Sequence, residues 1–147
     1  MTEKTGTFDP NGTWARPDYP RSGLAGSFVG VMRLKLESRG LQLIPQGSRA
    51  IRRFDIHELI LTEEKTGPGG RADRVAYLGF VEFSQGGVLL TGDEVRIGGA
   101  LVGTIAGYDE THMPNHLNIV LTGSPWSSGV ERGIALGQAV TFTPMFG

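Results

Sequence analysis

The chain contains no cysteine among its 147 residues. That excludes disulfides, thiolate catalysis and cysteine-ligated metal sites. Charge of one sign is also lacking: 14 Lys and Arg stand against 15 Asp and Glu, for a net charge of −1. A balance of this kind gives no bulk attraction to nucleic acid or to an anionic membrane surface, so neither partner is expected. No apolar run approaches the roughly 18 residues of a spanning helix. The N-terminal stretch has no apolar segment of the sort a secretion signal carries, and a cytoplasmic setting is expected. Histidine is sparse, with three residues at 57, 112 and 116. No segment carries the periodicity of a long amphipathic helix.

Glycine, at 23 residues, is abundant. Turn signals recur about every ten residues, and between them the hydrophobic period is two. In Val31–Glu37, Met32, Leu34 and Leu36 alternate with Arg33, Lys35 and Glu37, which predicts a strand with one buried face. Further strands are expected at Leu41–Ile44, Glu58–Glu63, Arg74–Ser84, Val88–Leu90, Glu94–Ile97, Ala100–Gly107, Leu117–Leu121 and Ala139–Thr143. Gly98-Gly99 reads as a two-residue hairpin turn, because both positions tolerate positive φ. Ser48–Phe54 reads as one helical turn or an irregular crossing, and Val130–Leu136 as a short helical turn. The pattern predicts an all-β fold, a compact β-barrel or highly bent sandwich with little helix. One domain over residues 25–147 follows an N-terminal arm over residues 1–24, where Phe8, Trp14 and Tyr19 stand among prolines and glycines. Tail or packing arm are both open readings of that segment.

The loop Tyr108–His116 gathers Asp109, Glu110, His112 and His116. These are metal-ligand types, but Pro114 and Asn115 argue against the helix that would put both imidazoles on one face. A hydrophilic loop is the expectation, with no metal and no cofactor. His116 and Asn118 share the face opposite Leu117, Ile119 and Leu121. If that face is the enclosed one, His116 and Asn118 line a pocket with Glu82 that suits a polar small molecule or acid–base work. His57 is expected to be a satisfied structural residue. The Arg49, Arg52 and Arg53 cluster is expected to be charge-paired surface, neutralised by acidic residues nearby in sequence such as Asp55, Glu58, Glu63 and Glu64. TGPGG at 66–70 has no following Lys-Ser/Thr and precedes no helix, so it is not a phosphate loop.

Residues 79–143 carry Gly92, a strand ending Val102-Gly103-Thr104-Ile105-Ala106-Gly107, an acidic turn at Asp109-Glu110, Asn115-His116 leading a strand, and Gly123. Gly137 with Ala139-Val140-Thr141-Phe142 completes the layout. This arrangement resembles the glucitol/sorbitol-specific IIA component of the bacterial sugar phosphotransferase system. The resemblance implies a similar compact β architecture in a divergent bacterial relative. Members of that family accept a phosphoryl group on a histidine in a His-x-His-Gly run, and the corresponding Leu78–Phe83 holds no histidine. The expected function is therefore a non-catalytic small-molecule-binding or scaffold domain acting as a homo-oligomer, with His116, Asn118, Glu82, Asp109, Glu110 and His112 as ligand-binding candidates. The alternatives are an enzyme of carbohydrate or carbonyl metabolism using His116 as acid–base, and, more remotely, a phosphotransferase-type sugar transport component.

Overall fold

The computed structural model describes residues 23–145, and among them there is no helix. The twelve strands are β1 (Leu24–Val31), β2 (Lys35–Leu36), β3 (Leu41–Gln42), β4 (Ser48–Ile51), β5 (Ile56–Thr62), β6 (Arg71–Ala72), β7 (Val75–Phe83), β8 (Gly87–Leu90), β9 (Glu94–Ile97), β10 (Ala100–Asp109), β11 (Asn118–Gly123) and β12 (Ala139–Thr143). Seven of them run in the order β1-β12-β9-β10-β11-β5-β7, and β7 pairs back onto β1. The sheet is thus a closed barrel, and closure removes the exposed edges that an open sheet would present. β2 adds a short eighth strand on β7. Every barrel pairing is antiparallel except β5 with β11. The ribbons β3–β6 and β4–β8 lie outside this cycle.

Two apolar clusters divide the strands' faces. The larger holds Leu24, Phe28, Leu59, Leu61, Val81, Phe83, Val95, Ile105, Tyr108, Ile119, Leu121, Val140 and Phe142 and fills the barrel. The smaller holds Leu41, Leu43, Ile60, Ala72, Val75, Tyr77, Ala106 and Val120 against the outer wall, where the β3–β6 ribbon covers it. On β5 and β11, successive residues therefore belong to different clusters, as the two-residue pleat requires. Ribbon cover makes both faces of these strands apolar, which explains the near-continuous run Leu59–Leu61.

Bulges bend the strands enough to close the cylinder. β10 shifts register between Ile105 and Gly107, and β1 between Phe28 and Gly30. Opposite the second of these, Gly79 has φ +152°, and a Cβ there would collide with the Gly30 carbonyl oxygen. Only glycine permits the β1–β7 seam to approach so closely.

Three local expectations need correction. Ser48–Ile51 is a strand, β4, paired with β8, because its ends Ser48 and Ile51 are buried by that pairing. Val130–Leu136 forms turns and no helix. The Met32–Leu36 alternation is not one strand: β1 ends at Val31, regular pairing resumes only at Lys35, and Leu34 is exposed while Met32 and Leu36 pack on the outer cluster. Leu24 opens β1 and is buried in the barrel. The arm aromatics Phe8, Trp14 and Tyr19 lie outside the described residues.

Candidate functional site

The barrel's enclosed space is the apolar one. Leu117, Ile119 and Leu121 point into it, so the opposite face, carrying Asn118, looks outward. The condition on which an enclosed His116–Asn118–Glu82 pocket depended is therefore not met. The polar residues assemble on the outer wall instead.

Register explains how. Asp109 on β10 is the cross-strand partner of Asn118 on β11, Asn118 of Glu58 on β5, and Glu58 of Phe80 on β7. Direct partners project to the same side of a sheet, so these four side chains form one transverse row. Asp109, Asn118 and Glu58 are all buried, Asn118 completely. His116, just before β11, closes over the row. Its ring meets Phe80 edge-on with centroids 5.0 Å apart, and its other side stacks on His112 at 5.0 Å.

Some polar atoms of the row are partnered and two are not. Asp109 accepts three hydrogen bonds: Oδ1 from the Thr111 amide at 3.0 Å and from Asn118 Nδ2 at 3.0 Å, and Oδ2 from the Thr111 hydroxyl at 2.9 Å. Its role is to pin the loop that follows β10. Glu110 leaves the row to pair with Arg49 on β4. Asn118 spends its amide on Asp109, and its Oδ1 is buried with no partner. His116 Nδ1 lies 2.8 Å from Asn115 Oδ1, an atom that can only accept, so the ring proton resides on Nδ1. Nε2 is then a bare lone pair, buried without a hydrogen bond and 3.4 Å from Glu58 Oε1.

Burial sets the protonation of this pair. Desolvation lifts the Glu58 carboxyl to about 7, against a smaller opposing pull from the Arg39 guanidinium. Arg39 is itself held by the Tyr77 hydroxyl at 3.0 Å. Desolvation, with help from the charge of His112, holds His116 below its ordinary value. His57 follows the structural expectation: its Nδ1 accepts from the Leu117 amide at 2.9 Å, which ties β5 to the start of β11.

Of the six residues singled out from sequence, Asp109, His112, His116 and Asn118 come together, while Glu110 faces Arg49. Glu82 shares the outer face of β7 but sits opposite Ile56 and Ser27, one pair removed from Glu58–Phe80. The carboxylate beside His116 is Glu58, which sequence reasoning assigned to charge neutralisation. Its signal was a lone acid leading the otherwise apolar strand Leu59-Ile60-Leu61. Among the described residues, no three His, Asp or Glu side chains converge as a metal-binding group. A shallow groove of about 510 Å³ on another part of the outer wall is lined by Lys65, Thr66, Gly67, Thr104, Ile105, Ala106 and Thr122, none of them in this cluster.

The architecture is thus that of a closed all-β barrel with a buried polar row on its outer wall. Residues 18–143 match a family of unknown function, DUF6917, and the chain belongs to that family. No curated protein and no solved structure matches it.

Proposed function

We propose that the domain is non-catalytic and binds a small polar ligand at the outer-wall row, with Glu58, His116 and Asn118 as the recognition groups. One observation carries this reading. Two buried acceptors, His116 Nε2 and Asn118 Oδ1, have no donor in the protein, and buried polar atoms ordinarily have one. A ligand bearing donors would satisfy both. We also propose that the domain acts as a homo-oligomer, for which Phe54, Ile56, Leu101, Leu136 and Met145 are exposed apolar side chains available for subunit contacts.

The test is a thermal-shift screen of polar metabolite classes against wild type and His116→Ala. A ligand of this site stabilises the native state of wild type alone. Equal shifts in both proteins remove His116 from recognition. Light scattering that shows only monomer removes the oligomer.

A second reading, acid–base catalysis on a hydroxyl or carbonyl compound, is favoured by the Glu58 carboxyl at about 7 beside a neutral imidazole. Turnover of any ligand from the screen that is lost in both Glu58→Gln and His116→Ala would select it.

A further inference from the structure

The unmet atoms of the outer-wall row are all acceptors, and this specifies what they would hold. His116 presents Nε2 as a lone pair because Nδ1–H is committed to Asn115. An imidazole fixed in this way, with its far nitrogen donating to an oxygen, is the usual setting of a metal-ligating histidine. Glu58 presents a carboxyl oxygen 3.4 Å from that neutral imidazole. Asn118 presents Oδ1, since Nδ2 is bound to Asp109. Asn118 stands directly across from Glu58 and two residues beyond His116 on the same face.

The spacing is as informative as the chemistry. Two ligands each about 2.0–2.1 Å from a tetrahedral zinc ion are about 3.4 Å apart. His116 Nε2 and Glu58 Oε1 are 3.4 Å apart. That separation is long for a hydrogen bond between the two.

We infer that this row is a divalent-cation site of the zinc type, with His116 Nε2 and Glu58 Oε1 as ligands and Asn118 Oδ1 as the third donor. The inference rests on the reading of the row as a ligand site and names its ligand. The absence of a third His, Asp or Glu is consistent with an amide in that place. Imidazole and carboxylate are ordinary zinc ligands, and the amide carbonyl, a donor that suits harder cations such as Mn²⁺, is the weakest of the three. Binding displaces the Glu58 proton, which passes to solvent. Asp109 is committed to three hydrogen bonds with Thr111 and Asn118 and is assigned no ligand role. Arg39, His57 and the exposed His112 are cationic or titratable groups near the row, and a positive charge on any of them opposes the ion.

The experiment is a titration of untagged, chelator-treated full-length protein with Zn²⁺ by calorimetry and with Co²⁺ by visible absorption. One ion per chain and the intense visible bands of tetrahedral Co²⁺ are expected. His116→Gln and Glu58→Gln, with circular dichroism matching wild type, should each bind more than about tenfold more weakly. His112→Ala should bind at least as well as wild type. No stoichiometric binding, or equal binding by wild type and both variants, overturns the inference. If Zn²⁺ fails to bind while an organic ligand stabilises wild type and not His116→Ala, the cation is wrong and the ligand site stands. If neither binds, both fall.

Discussion

Glu58→Gln should change how the stability of this protein depends on pH. The substitution keeps the shape of the side chain and removes its ionisation. In the unfolded chain the carboxyl titrates near 4.5, and in the barrel near 7. A group whose folded value is raised binds its proton more tightly in the native state. Its contribution is fully present below pH 4.5 and is lost as pH rises through about 7. The interval between the two values, at about 1.4 kcal/mol per pH unit, corresponds to a loss of about 3 kcal/mol. His116 and His57, both held below their ordinary value by burial, act in the opposite sense: their contribution is present above pH 6.5 and lost as pH falls. Both histidines are retained in the variant, so the difference between wild type and Glu58→Gln isolates the carboxyl. The assay is urea denaturation from pH 5 to pH 8 in chelating buffer. The variant should gain about 2.5 kcal/mol on wild type across that range, most of it before pH 7. Parallel profiles would mean that Glu58 ionises freely, and the account of a desolvated carboxyl in the row would fail.

Other expectations concern the parts that build the site. Gly79→Ala forces a Cβ into the Gly30 carbonyl at the seam that closes the barrel and should cost about 2–4 kcal/mol by chemical denaturation. Asp109→Ala frees three donors, from Thr111 and Asn118, and should cost about 2–3 kcal/mol, with faster amide exchange confined to residues 110–117. Trp126 carries the Arg74 guanidinium 3.6 Å and the Lys35 ammonium 4.2 Å from its ring centre. Arg74→Ala should therefore cost about 0.5–1 kcal/mol and alter Trp126 fluorescence, where a purely solvated arginine would leave both unchanged.

Much of the fold is legible along the chain. Glu94–Ile97 and Ala139–Thr143 coincide with β9 and β12, and the two-residue alternation assigns Ile119 and Leu121 to the apolar interior. Alternation fails where a strand is interrupted or covered on both sides. Met32–Leu36 alternates yet only Lys35–Leu36 is a regular strand, and Ser48–Ile51 is a strand only because β8 lies beside it. The candidate site was half visible. The loop that holds Asp109, His112 and His116 is contiguous, and Asn118 follows it on the same outward face. Glu58 lies about 60 residues earlier, and nothing local distinguishes it from Glu82 as the neighbour of His116. The choice between them is a matter of register, where sliding a strand by two residues leaves every face unchanged and replaces every neighbour.

Composition and period alone determined that this chain is all-β, that its strands bury one face in a common interior, and that its chemistry cannot involve cysteine. Tertiary structure decided that the polar face looks outward, that β5 lies parallel to β11, and that Glu58 rather than Glu82 meets His116. The first set depends on each residue and its immediate neighbours, which a sequence records directly. The second depends on which distant strands share hydrogen bonds, and that is settled only when the barrel closes.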